Sequence, residues 1–101
     1  MSQPASKAAA VALGPEVTIP FAAATREQLL EALRGQGAQG NVALDLSGVT
    51  DFDSAGVQLL LSARRSVLAR GDQLHLQSPS ASVRDALAIF GLSQAFGLAA
   101  A

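Results

Sequence analysis

The run Val42-Ala43-Leu44-Asp45-Leu46-Ser47-Gly48-Val49-Thr50-Asp51-Phe52, leading into Asp53-Ser54-Ala55-Gly56, constrains the fold more than any other stretch of the chain. Val42, Leu44 and Leu46 alternate with Ala43 and Asp45, the period-two pattern of a substantially buried strand. A short acidic loop follows, and apolar residues then recur at helical spacing to about residue 70, where Gly71 supplies a stop signal. Ser54 stands at the mouth of that helix. A hydroxyl there meets unpaired backbone N–H groups and the positive end of the helix dipole, which favours a phosphate at the same place. Ser and Asp are also common helix caps, so a capping role for Ser54 or Asp53 is the competing reading.

The rest of the chain alternates in the same way. Residues 1–7 are small and polar without a period and are expected to be a flexible terminus. Two short extended stretches flank Gly14-Pro15, which predicts a hairpin or bend at a sheet edge, with Pro20 ending the second stretch. Thr25-Arg26-Glu27-Gln28 fits a capping box, with Thr25 as cap ahead of Leu29, Leu30 and Leu33, and Gly35 closes that helix. Gly37 and Gly40 mark a loop before the strand at Val42. In the helix opened by Ser54, the residues Val57, Leu60, Leu61, Val67 and Leu68 share one broad face, with Gln58, Ser62, Arg65 and Ser66 mostly opposite. Arg64 falls inside the apolar arc, so its stem is expected along the core edge with the charged head reaching outward. Residues 73–77 alternate as a strand with Leu74 and Leu76 inward and His75 on the other face. Pro79-Ser80 opens a third helix carrying Val83, Leu87 and Phe90 and ended by Gly91, after which a tail with Phe96 adds a strand or leans on the core. Strands alternating with helices predict an α/β domain over residues 8–101, with a mixed central sheet of about four to five strands and helices packed against it.

Composition narrows the functional classes. With 101 residues, half of them hydrophobic, the chain can bury one core without disulfides or metal, and it has no Cys with which to form a disulfide. A net charge of −1 with both signs interspersed, and four Phe with no Tyr or Trp, give neither the basic footprint nor the stacking surface of a nucleic-acid binder. No apolar run approaches the roughly 20 residues of a membrane span, and no leader pattern is evident, so the expectation is a cytoplasmic protein without membrane insertion. Catalytic signatures are missing as well: no Cys nucleophile, no Gly-x-Ser-x-Gly elbow, no phosphate-cradling glycine loop and no His cluster. Asp45, Asp51 and Asp53 are the concentrated carboxylates. Three such acids could hold Mg²⁺, but one of them lies in a strand interior and compensation of the helix dipole also selects Asp51 and Asp53, so no metal, cofactor or enzymatic activity is expected. Gly56, in the first turn of a helix, costs up to about 1 kcal/mol relative to Ala, which points to a close approach by a neighbouring strand or by a partner.

The run from Val42 through Asp53-Ser54-Ala55-Gly56-Val57-Gln58-Leu59-Leu60-Leu61, followed by Gly71-Asp72-Gln73-Leu74-His75-Leu76 and residues 80–92, resembles a STAS domain, the family that includes the bacterial anti-sigma-factor antagonists. The resemblance extends over residues 10–97, and its most specific element is Asp-(Ser/Thr)-x-Gly after a hydrophobic strand. It implies a non-enzymatic partner-switching module of signal transduction and transcription regulation. Ser54 falls on the family's phosphoacceptor, and Asp51, Asp53, Ala55, Gly56 and Gln58 are expected to form the partner-binding surface. The implied partner is an anti-sigma factor or another serine kinase protein, whose complex weakens when the Ser is phosphorylated. The sequence is also similar to chemotaxis-associated STAS domains and to the small STAS subunit of bacterial phospholipid-transport ABC systems, which implies instead an accessory subunit bound to a transporter ATPase.

Overall fold

A computed structural model describes residues 11–35 and 41–98, so the expected flexible terminus at 1–7 and the loop glycines Gly37 and Gly40 lie outside the described residues. The chain order is β1 (Val11–Ala12), β2 (Glu16–Val17), a 3-10 turn (Ile19–Phe21), α1 (Ala22–Gly35), β3 (Val42–Asp45), β4 (Asp51–Phe52), α2 (Ser54–Ala69), β5 (Leu74–Gln77) and α3 (Ala81–Ile89). β3 is the centre of a three-stranded sheet ordered β1-β3-β5, with Val11 opposite Leu44 and Val42 and Leu44 opposite Leu74 and Leu76. The alternation read from the sequence is realised there, because Val42, Leu44 and Leu46 are fully buried. Around them the core gathers Leu29 from α1, Val57, Leu60 and Val67 from α2, and Val83 and Leu87 from α3.

The expected single mixed sheet is replaced by two parallel ones, the second being β2-β4 with Glu16 opposite Asp51 and Val17 opposite Phe52. All described pairs are parallel because each crossover between paired strands passes through a helix. The division comes from two interruptions in step. Gly14-Pro15 bends the first edge, at a Gly14 φ of +107° and with a Cβ position only 3.1 Å from Val49 Cγ2, so a side chain there would be strained and crowded. The partner edge turns at residues 47–50, where the Pro15 carbonyl accepts from the N–H groups of Thr50 (2.8 Å) and Asp51 (3.2 Å). The bend predicted at Gly14-Pro15 is therefore present, but β1 and β2 do not pair with each other as a hairpin would.

Helix starts follow local chemistry except in α1. Ser80 caps α3, its hydroxyl accepting from the Val83 N–H. Thr25 does not cap α1, which begins three residues earlier because the 3-10 turn, with Pro20 in its first turn, feeds the chain directly into the helix. Thr25 is instead buried, 3% exposed. α2 packs against α1, α3, β4, β5 and the 3-10 turn. Its buried face is Gly56, Val57, Leu60, Ala63 and Val67. Leu68, expected on that face, is 44% exposed, and Phe90 beyond α3 is likewise exposed. The buried arc of α2 is narrower than the apolar arc of its sequence: it runs through Gly56, Val57, Leu60, Ala63 and Val67 and leaves Leu68 beyond its edge. The tail forms turns rather than a strand and seats Phe96 in the core. No helix among the described residues is long and apolar enough to cross a membrane.

Candidate functional site

Parallel pairing of β2 with β4 delivers Asp51 and Phe52 to the N-terminus of α2, and Asp53 then closes the helix start. With extended backbone (φ −124°), Asp53 is the N-cap: its Oδ1 accepts from the Ala55 N–H at 2.9 Å. Its Oδ2 accepts from the Ile19 N–H at 3.1 Å, tying the 3-10 turn to the mouth of α2. The Asp53 carbonyl takes the N–H groups of Gly56 (2.9 Å) and Val57 (3.2 Å). Asp53 thus supplies the cap that the sequence left open between two residues. Ser54, the first helical residue, is exposed, and its hydroxyl makes no hydrogen bond among the described residues.

Asp51 and Gln58 are exposed and Ala55 is half-buried. Gln58 lies one helical turn beyond Ser54, on the same side of α2. Gly56 is placed differently from a contact residue: it is buried, and a Cβ built on it would lie 2.5 Å from Phe52 Cε1 and 2.7 Å from Cδ1. The close approach that its position called for is made by the ring of β4, so Gly56 seats α2 against that strand.

Two residues of the site were not singled out from sequence. Ile19 and Phe21 flank Pro20 in the turn held by Asp53 and are 69% and 46% exposed. Their signal was present as two large apolar residues around a proline, outside any strand or helix period. Glu16, exposed and in register with Asp51, adds a further carboxylate to the same edge. From the other side, the Ser82 hydroxyl of α3 donates to the Thr50 carbonyl at 2.7 Å and holds the loop that carries Asp51.

The three concentrated carboxylates do separate work. Asp45 accepts from the Ser47 N–H at 2.9 Å, a bond that holds its carboxyl below the ordinary aspartate value. Asp53 is committed to Ala55 and Ile19, and Asp51 projects from the edge of β4. Among the described residues no group of three His, Cys, Asp or Glu side chains could hold a metal ion. His75 sits on β5 and lines a groove with Arg64, which is ten residues along α2 from Ser54 and so about 15 Å from it along the axis.

These features define a small α/β domain that presents a capped helix N-terminus, an exposed serine and an apolar turn on one surface. A family model described as "Mlab, STAS domain" matches residues 2–99, and the chain belongs to that STAS-domain family. No curated protein gives a significant match to the chain.

Proposed function

We propose that this protein is a non-enzymatic, cytoplasmic protein-binding module of the anti-sigma-factor-antagonist type, in which phosphorylation of Ser54 by a partner serine kinase breaks the complex. The observation that carries this reading is the division between Asp53, which caps α2, and Ser54, whose exposed hydroxyl has no structural duty among the described residues. The docking surface is Asp51, Ala55 and Gln58 around Ser54, with Ile19 and Phe21 supplying apolar contact beside it. Asp53 and Gly56 act by holding that surface in shape. A phosphoryl group brings about −1.5 to −2 charges. Set beside Asp51 and Glu16, it opposes a partner by like-charge repulsion and by the cost of desolvation.

The test is intact mass of the protein after incubation with ATP and each serine kinase encoded beside it. One phosphate is expected on the wild type and none on Ser54→Ala. No phosphate from any such kinase refutes the switch. A second reading takes its support from the family description, which carries the name Mlab: a constitutive accessory subunit seated through the same surface on the ATPase of a phospholipid-transport ABC system. Under it, Ile19→Asp would release the ATPase, while the wild type would stay unphosphorylated.

A further inference from the structure

The C-terminal half of α2, the start of β5 and the turns of residues 92–98 border a half-open cavity of about 310 Å³, the groove already noted at Arg64 and His75, lined in part by Arg64, Leu68, Gln73, His75, Gln94 and Phe96. Arg64 is the cation of this cavity and is held in place. Its Nε donates to the Ala95 carbonyl at 3.1 Å, and its guanidinium lies 5.9 Å from the centroid of the Phe96 ring, which is itself buried. Among the described residues its terminal nitrogens have no partner, it forms no ion pair, and no carboxylate lines the cavity. A fixed, unneutralised guanidinium is the preferred partner of a carboxylate, which it grips through parallel N–H donors.

The neighbouring groups extend that preference. Gln73, Gln94 and His75 add polar side chains at the cavity wall, while Leu68, 44% exposed, and Phe96 give it apolar surface. Such a mixture of a few polar groups on an apolar wall is typical of small-molecule sites, and 310 Å³ lies at the small end of their range of about 300–1,000 Å³. At about 30 Å³ per water, the cavity has room for about ten waters, and hence for a ligand of about ten non-hydrogen atoms. We propose that this cavity binds a small organic carboxylate, the carboxylate on Arg64 and the apolar body against Leu68 and Phe96. The site is separate from the surface at Ser54 and does not depend on what binds there.

Octanoate has the required size and chemistry and serves as the probe. In a ¹H–¹⁵N correlation titration of the full chain, saturable shifts are expected at the Arg64 Nε–H and at the amides of residues 73–75 and 94–97. Octanol, with the same body and no charge, is expected to bind at least about tenfold more weakly, as is octanoate to Arg64→Met, which keeps the stem and removes the charge. Because Arg64 also holds the tail, Leu68→Asp provides a second variant at an exposed position, where the added negative charge should weaken octanoate by a similar factor. The proposal is overturned if no saturable shift occurs at Arg64, if octanol equals octanoate, if Leu68→Asp binds as wild type, or if the shifts centre on exposed Ile89 and Phe90.

Discussion

Replacing Gly56 by Ala places a methyl group 2.5, 2.7 and 2.9 Å from Cε1, Cδ1 and Cζ of Phe52. Carbon atoms prefer about 3.5–4.0 Å, so the ring must retreat by roughly 1 Å. Phe52 is half-buried against the core, with β4 holding its backbone in register with Val17. The retreat therefore loosens contacts between β4 and α2 rather than moving a free side chain. Overpacking of this kind costs about 1–3 kcal/mol, and the better helix propensity of Ala returns up to about 1 kcal/mol. The expected balance is a loss of about 1 kcal/mol, or a drop of about 4–8 °C in melting temperature for a domain of this size.

Thermal and urea unfolding of Gly56→Ala, Phe52→Ala and the double variant form the assay. Once the ring is gone, the Ala methyl meets no obstacle from it, and Gly56→Ala should become stabilising by about 0.5–1 kcal/mol. The two changes should thus couple by about 1.5–2 kcal/mol, well outside the error expected for independent sites. A Gly56→Ala protein that melts at or above the wild-type temperature would refute the packing role. So would an equal loss with and without the Phe52 ring.

Asp53→Ala removes both the cap bond to Ala55 and the tether to Ile19, and should cost about 1–2 kcal/mol in urea unfolding, with Asp53→Asn recovering part of it. Asp45 has its folded pKa lowered chiefly by the backbone bond from Ser47, so its contribution is present above the ordinary value of 3.8 and is lost as pH falls through the lower folded value. The stability difference between wild type and Asp45→Asn should accordingly shrink as pH falls below about 4, and a difference that grows in acid would contradict this sign. Ser54→Asp should weaken partner capture at least about tenfold, while its melting temperature stays within a few degrees of wild type, since an acid at the first helical position is favoured by the dipole. A large loss of thermal stability in Ser54→Asp would mean that Ser54 is structural.

Much of this architecture was legible wherever a periodic pattern was long enough to be read. Val42, Leu44 and Leu46 announced β3, Asp53 and Ser54 the start of α2, Ser80 the cap of α3, and Leu74 and Leu76 the inner face of β5. β4 was hidden because two residues carry no period, and its pairing with β2 depends on the bend at Gly14-Pro15 and the turn at Thr50, which meet only in three dimensions. Thr25 matched a local capping template, but the 3-10 turn before it had already started the helix. Leu68 misled because periodicity gives the direction of an apolar face and not its width, and the buried face of α2 extends only through Ala63 and Val67. At the site, the acidic loop and Ser54 were readable, whereas Ile19 and Phe21 became part of it only through the second oxygen of Asp53.

The placement of the cap determines what a charge on Ser54 would do. Asp53 satisfies the N–H groups of Ala55, Gly56 and Val57 through its side chain and its carbonyl together. A phosphoryl group on Ser54 therefore gains the favourable helix dipole but finds those donors occupied, so its charge is not absorbed into the helix start. It stands at the exposed surface that also carries Asp51, where the partner of the proposed function would meet it. Had Ser54 been the cap, modifying its hydroxyl would have removed a hydrogen bond from the fold and coupled the switch to stability. One position further along, the same modification leaves the bonds to Ala55 and Ile19 intact and changes only the surface they support. A docking face whose shape is held by one residue and whose charge is set by the next can lose its partner while staying folded.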